Sequence, residues 1–268
     1  MRWGMAFDFL VRARRLAMLA AAGLTLSSGV VHAAPEEVQV YMDELNAKGQ
    51  FGLDLHINDV LHGDGAPDYP GGEASLHRWR LTPEFSLGLG HGLELGAYLP
   101  LATLSPGGSA RADGVKARLK WLAPHQDTGF YAGLNYEIGY SSHRLDQNPW
   151  NNEVKLIGGW RDERWQLGVN GNVDFALSGP NPGPATLEIA TKAAYKVTKS
   201  TAIGIESYNG LGPLHAIGQL ADAEHSSYLV VDTSLGKWDL NAGIGKGYGA
   251  NKDSLVVKFI LSVPIDSR

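Results

Sequence analysis

Charged side chains recur at every second position in several parts of this 268-residue chain. Lys116, Arg118 and Lys120 form the clearest run, and Arg78 and Arg80 repeat the spacing earlier. Side chains two residues apart in a β-strand point to the same face, so each run predicts a basic stripe on one side of a sheet. Acidic residues occupy the same parity elsewhere, at Glu84, Glu137, Asp174, Glu188 and Asp232. Such charges either orient polar solutes or neutralise one another as ion pairs.

A His-x-Ser pair, His225 and Ser227, is a second candidate for chemistry, and Asn209 precedes it. A serine becomes a nucleophile when a histidine takes its proton and a third group orients that histidine. All three residues fall on the apolar parity, His225 and Ser227 at the beginning of predicted strand ten and Asn209 near the end of strand nine. Because geometry and not spacing defines a triad, we favour polar residues at a strand end and keep a lipid hydrolase as the alternative.

Other catalytic and cofactor chemistry has little support in the sequence. His56, His62, His77 and His91 show no metal-ligand spacing. No glycine-rich phosphate loop leads from a strand into a helix. We therefore predict neither a metal site nor a cofactor.

The element that would position the charged side chains is clearest between Trp79 and Leu101. Apolar and polar residues alternate on both sides of a tight turn at 90–92, which predicts a β-hairpin. Each arm is about as long as a bilayer-spanning strand, roughly 9–11 residues. Pro83 interrupts the second predicted strand, where it cannot donate a backbone hydrogen bond, so we expect a bulge or unpaired step there.

The alternation continues from residue 50 onward and predicts about twelve strands. The odd-numbered connections are mostly long and rich in Gly and Pro, and the even-numbered ones are mostly short. Aromatic residues on the apolar parity cluster beside the short connections, at Trp121, Phe130, Trp160, Trp165, Tyr195 and Trp238. These features are typical of an antiparallel transmembrane β-barrel with short periplasmic turns, longer external loops and an aromatic girdle.

The N-terminal region indicates export. Residues 1–33 combine a basic start, a short apolar stretch and a small-residue cleavage pattern, so we predict a signal peptide cut after Ala33. Residues 34–49 are predicted to be a periplasmic lead-in, and 50–268 the outer-membrane barrel. Without the first 33 residues the chain retains 19 basic and 27 acidic residues, a net charge of about −8, which argues against a nucleic-acid partner. The chain has no cysteine, so no disulfide framework supports it.

Three segments resemble a broad group of proteobacterial outer-membrane barrels, some of them labelled after the meta-cleavage pathway of phenol degradation. They are Glu37–Tyr41, Leu81–Ser86 and Leu93–Pro100. The resemblance covers about the first hundred residues and is loose beyond them. It implies an outer-membrane barrel that passes small molecules, and it supplies no functional residues.

The functional prediction is a pore for small polar or aromatic-acid solutes, with outer-membrane lipids and lipopolysaccharide around it. In an open pore the basic stripes on strands two and four would face carboxylates on strands seven to ten. A surface lipid hydrolase and a closed structural or adhesive barrel are the alternatives. The identity of the solute and the oligomeric state are left open by the sequence.

Overall fold

The computed structural model describes residues 37–180, 182–218 and 220–265. The predicted signal peptide and the start of the lead-in lie outside these residues. The described chain contains twelve strands, whose bounds are β1 Phe51–His62, β2 Trp79–Gly90, β3 Leu93–Leu104, β4 Ala110–Leu122, β5 Gly129–Ser141, β6 Trp150–Arg161, β7 Trp165–Ser178, β8 Thr186–Lys196, β9 Thr201–Pro213, β10 Glu224–Leu235, β11 Trp238–Gly249 and β12 Leu255–Pro264. One short 3₁₀ turn, Leu220–Asp222, precedes β10. Within the described ranges, no helix has the length and apolar character to cross a membrane.

The twelve strands form one closed antiparallel barrel, as predicted. Each strand pairs with its neighbours in the chain, and β1 pairs with β12 from Gly52 opposite Pro264 to His62 opposite Leu255. Closure leaves no free sheet edge, so the backbone groups of every strand find partners within the sheet. That condition is required of any β-structure surrounded by hydrocarbon.

The connections differ at the two ends of the barrel. One end carries the connections 91–92, 123–128, 162–164, 197–200 and 236–237. The other end carries 63–78, 105–109, 142–149, 179–185, 214–223 and 250–254. The short-turn end is periplasmic in barrels of this kind, and the long-loop end is external. The two-residue turn at 91–92 has positive φ at His91 (55°) and Gly92 (78°), the geometry that matches the twist of the flanking strands.

The outer surface of the barrel is an apolar band bordered by aromatic rings. Trp121, Phe130, Trp165 and Trp238 are exposed near the periplasmic turns, where the sequence predicted a girdle. A second set borders the external end and consists of Trp79, Tyr140, Trp150 and Tyr248. The rings of Tyr140 and Trp150 contact each other edge to face with centroids 5.5 Å apart. Two aromatic borders around an aliphatic band are the pattern of a barrel that spans a bilayer.

Pro83 disturbs the sheet as expected. β2 pairs with β1 through Pro83 opposite Leu55, but its register against β3 shifts between Leu81 and Glu84. The missing N–H of Pro83 thus coincides with an irregular step toward β3 only.

Leu229 tests which face of the barrel meets lipid. It lies in the middle of β10 between Ile205 and Ile244 on the neighbouring strands, and it is 64% exposed. Leu229→Arg should lower the free energy of unfolding by about 2–4 kcal/mol, since an arginine at the bilayer midplane is costly by that amount. Urea unfolding of chain refolded into lipid vesicles measures this change. Leu229→Phe is the matched control, and equal stability of the two variants would show that this face does not meet hydrocarbon.

Candidate functional site in the barrel lumen

The interior of the barrel holds a segment of the chain itself. Residues 37–46, hereafter the luminal segment, precede β1 and run along the inside of the barrel wall. Val38, Val40, Tyr41 and Met42 are buried among side chains from strands all around the circumference. This corrects the expectation that the lead-in is wholly periplasmic. Inward side chains offer the segment hydrogen-bond partners and apolar contacts that periplasmic water would not.

Tyr41 is the most extensively bonded residue of the luminal segment. Its backbone N–H donates to Asn170 Oδ1 (2.6 Å), and Asn170 Nδ2 donates to its carbonyl oxygen (2.8 Å). Its hydroxyl donates to Glu137 Oε1 (3.0 Å) and lies 2.7 Å from the hydroxyl of Tyr98. Asn170 thus satisfies both backbone groups of Tyr41, as a neighbouring strand would. The side-chain hydroxyl links the segment to β3 and β5.

Three cationic groups surround the ring of Tyr41. Lys155 Nζ lies 3.9 Å from the ring centroid, Lys120 Nζ 5.1 Å and the guanidinium carbon of Arg118 5.7 Å. A cation over an aromatic face within about 6 Å is attracted by the ring quadrupole, and the attraction grows when both groups are desolvated. The ring therefore fits an electropositive place in the wall.

The periplasmic part of the luminal segment is anchored by charges. Asp43 Oδ2 lies 3.0 Å from Arg161 Nε and 3.3 Å from His125 Nε2. Asn46 donates from its backbone N–H to Glu94 Oε2 (2.7 Å) and from its side chain to the same oxygen (2.9 Å). The segment then joins the sheet, where Gly49 N–H donates to Gly88 O (2.7 Å). It therefore enters from the periplasmic rim and reaches the middle of the barrel at Glu37.

Arg118 is the centre of the first ionic cluster in the wall. Its Nε donates to Glu84 Oε1, and its Nη2 donates to Glu94 Oε1 at 2.8 Å. Glu84 Oε2 in turn lies 3.1 Å from His56 Nε2 on β1. On the far side of Arg118, Lys116 Nζ lies 3.0 Å from Glu137 Oε2. The cluster joins the inner faces of β1 to β5 beneath the luminal segment.

Glu206 is the centre of a second ionic cluster on the opposite wall. Its carboxylate accepts from Lys258 on β12 and lies 3.2 Å from Lys192 Nζ on β8. Lys192 Nζ also lies 2.9 Å from Asp232 Oδ2. Lys258 Nζ donates to the carbonyl oxygen of Val38 (2.8 Å), so this cluster holds the luminal segment as well. Cations and carboxylates alternate through the cluster, and each cation faces at least one carboxylate.

All ten residues predicted to line the lumen lie on the inner side of the barrel. Lys116 and Arg118 pair with carboxylates on their own side of the barrel, Glu137 of β5, Glu84 of β2 and Glu94 of β3. Lys120 Nζ donates to the carbonyl oxygen of Glu44 (2.9 Å), and Arg78 Nη1 to that of Glu73 (2.6 Å). Arg80 is buried near the external end. The remaining acidic residues, Asp174, Glu188 and Asp232, lie on the opposite side of the barrel. Asp174 is half-buried, Glu188 accepts a hydrogen bond from Asn172 (3.0 Å), and Asp232 pairs with Lys192.

Several groups that bind the luminal segment were not among the residues predicted from the sequence. Tyr98, Asn170 and Lys258 each hydrogen-bond to the segment, and each lies on the inner parity of its strand. The parity was visible in the sequence, but the partner within the lumen was not.

Burial raises the pKa of Glu37 in the segment, and the neighbouring carboxylate of Glu137 raises it further.

His225, Ser227 and Asn209 meet near the external rim, where the strand register places His225 opposite Asn209. His225 Nε2 lies 2.9 Å from the carbonyl oxygen of Leu220, and its ring stacks on Tyr248. Ser227 Oγ lies 3.0 Å from Ser207 Oγ, and Asn209 Nδ2 donates to Ser207 Oγ (3.0 Å). No hydrogen bond among the described residues links His225 to Ser227 or to Asn209, so the relay of a catalytic triad is not assembled.

Comparison with known proteins identifies the fold. No family model and no curated protein matches the sequence. Among solved structures, the NanC porin superposes with a TM-score of 0.52 at 10% identity, covering 80% of this chain and 100% of that chain. The COG4313 outer membrane channel from Pseudomonas putida F1 superposes with a TM-score of 0.55 at 13% identity, covering 85% of this chain and 99% of that chain. At these identities the similarity concerns the fold alone.

The closed barrel, its apolar band and its two aromatic borders define the class of protein. The chain is an outer-membrane β-barrel of a Gram-negative bacterium. Its lumen carries two ionic clusters with a segment of the same chain between them.

Arg118 tests the energetic role of the first cluster. Arg118→Met leaves Glu84 and Glu94 without their shared cation, so the free energy of unfolding should fall by about 3–5 kcal/mol, as for other broken buried pairs. Arg111→Met, at an exposed position of the same strand, should change it by less than about 0.5 kcal/mol. Urea titration in vesicles measures both changes. Adding Glu84→Gln and Glu94→Gln to Arg118→Met should restore part of the loss, and no recovery would argue against a charge effect.

Proposed function

We propose that this barrel is a channel for the passive passage of small polar and aromatic-acid solutes, with the luminal segment in the path. The observation that carries the proposal is the charged inner wall around a segment that is not a strand of the sheet. Lys258, Glu206 and Arg118 are almost fully buried. The segment contacts Lys258 through the carbonyl oxygen of Val38 and Arg118 through the ring of Tyr41. Removing the segment would expose them to water, where charged groups are well solvated.

The composition of the lumen supports a path that can fill with water. An interior made only to hold the barrel together gains little from charges, because well-packed apolar side chains of similar volume are often more stabilising than buried ion pairs. Barrels of about eight strands are filled by their own side chains, and those of about sixteen leave a channel. Twelve strands enclose an intermediate space, and here it accommodates an additional stretch of chain. Outer-membrane lipids and lipopolysaccharide are the proposed partners of the apolar exterior.

The surroundings of Tyr41 support aromatic acids as one class of solute. The cations of Lys155, Lys120 and Arg118 lie around its ring, and Asn170 offers both a donor and an acceptor beside it. If the segment moves aside, an aromatic carboxylate meets the same cations with its ring and its charge. The resemblance of the sequence to barrels labelled after phenol degradation supports the same class.

Tyr41→Ala tests whether the luminal segment obstructs the path. The substitution removes the hydroxyl contacts with Tyr98 and Glu137 and all the ring contacts with cations, so the segment should leave the lumen more often. We expect a larger unit conductance or a larger open fraction than for wild type in planar bilayers. Glu44→Ala is the matched control, because that side chain belongs to the same segment and is exposed.

Inhibition by an aromatic acid extends the test of the path to the class of solute. Benzoate should reduce the current through Tyr41→Ala more than cyclohexanecarboxylate does, since only benzoate offers a π-face to the lysines. A change in gel mobility on boiling would show that wild type and Tyr41→Ala are both folded. If neither folded protein then conducts, the channel is contradicted and a closed structural barrel is favoured.

The basic residues of β4 test ion preference. Replacing Lys116, Arg118 and Lys120 together by Gln removes three positive charges from the lumen. The reversal potential in a salt gradient should shift toward cation preference, and most at low ionic strength, where screening is weakest. Replacing the exposed Arg111 by Gln should leave it unchanged. An unshifted reversal potential in a conducting triple variant would show that these side chains do not face the path.

A further inference from the structure

Three potential metal ligands meet where the tip of the luminal segment touches the wall. Glu37 of the segment, His56 of β1 and Glu84 of β2 each place one ligand atom within 4.8 Å of the other two. His56 and Glu84 are each 1% exposed. No metal site was predicted from the sequence, because the three residues lie on separate elements and have no common spacing. Only the course of the luminal segment brings Glu37 to the other two.

Each carboxylate in this group is held by one oxygen and offers the other. Tyr98 donates its hydroxyl hydrogen to Glu37 Oε2 (2.9 Å), while the buried Glu37 Oε1 has no hydrogen-bond partner. Arg118 donates to Glu84 Oε1, while Glu84 Oε2 faces His56. Donors on the outer oxygen orient a carboxylate toward a metal in known sites, where their loss weakens binding about 10–100-fold.

The local charge also favours a cation. Arg118 is shared between Glu84 and Glu94 and neutralises one of them. Glu37 makes no ion pair among the contacts of the described residues. A divalent ion bound between Glu37 and Glu84 would supply the partner that the buried Glu37 Oε1 lacks. A buried, unpaired carboxylate is otherwise costly.

The donor set indicates which metal. One imidazole nitrogen with two carboxylate oxygens suits zinc and similar ions, whereas calcium and magnesium prefer oxygen alone. Zinc binds such donors at about 2.0–2.2 Å in a tetrahedron, so paired donors lie roughly 3.3–3.5 Å apart. His56 Nε2 and Glu84 Oε2 are 3.1 Å apart, already close to that spacing. The side chain of Glu37 would approach by on the order of 1 Å to complete three protein ligands, with water as the fourth.

We propose that Glu37, His56 and Glu84 bind one divalent metal ion of the zinc class, which ties the luminal segment to β1 and β2. This site does not depend on the channel function, since it requires only the contact between the segment and the wall.

Titration of the metal-free, full-length mature protein in detergent with Zn²⁺ tests the proposal. Isothermal calorimetry should show one tight site per chain. Glu37→Gln and His56→Gln should each weaken it by at least about 100-fold, more than the loss of an outer hydrogen bond does. The matched controls are Glu44→Gln in the same segment and His62→Gln on the same strand, both at exposed positions, and they should bind as wild type does.

A measurement on the unmodified protein guards against variants that fail to fold. Bound Co²⁺ should show the intense visible d–d bands of a four-coordinate ion, and Zn²⁺ should abolish them by displacement. Folding of every variant is checked by its gel mobility before and after boiling. No tight site in wild type would overturn the proposal and leave His56 and Glu84 as a hydrogen-bonded pair. Equal weakening by the control substitutions would overturn it as well.

Discussion

The need to satisfy every backbone hydrogen bond in hydrocarbon governs this structure. The pairing of β1 with β12 meets it by removing the last free edge of the sheet. Closure divides the side chains of each strand into two sets that cannot exchange. Leu229 and its neighbours face lipid, and Arg118, Glu206 and Lys258 face inward. The polar interior follows from this division, because the apolar residues of alternating strands are already assigned to the outer surface.

The inner surface then has charges to neutralise and a space to fill, and the luminal segment contributes to both. Asp43 meets Arg161 and His125, and the carbonyl oxygen of Val38 accepts from Lys258. The segment places Tyr41 between the two ionic clusters. Because it is held by side chains and not by a strand ladder, it can leave without breaking the sheet. That property separates it from the twelve strands, and the proposed channel depends on it.

Strand parity could be read from the sequence because apolar and polar residues alternate along each strand. A one-residue shift would move every side chain to the wrong face, so the pattern allows only one assignment. The barrel, the two faces and the irregularity at Pro83 were therefore predictable. The luminal position of residues 37–46 was not. Val38, Val40 and Met42 do alternate, but the run is short and Asp43 and Glu44 follow it, so it looks solvent-exposed. Its partners are distant in the chain: Tyr41 and Asn170 are 129 positions apart. The pairing of Arg118 with Glu84 and Glu94 likewise depends on the register between strands and not on spacing within one.

The bond from Lys258 to Val38 has a consequence for biogenesis. Its two residues are 220 positions apart, so this hydrogen bond cannot form until the last strand has joined the barrel. Until β12 docks on β1, the incomplete barrel has an open seam, and the wall around the segment lacks Lys258. The luminal segment therefore gains its full set of contacts with the wall only when the barrel closes.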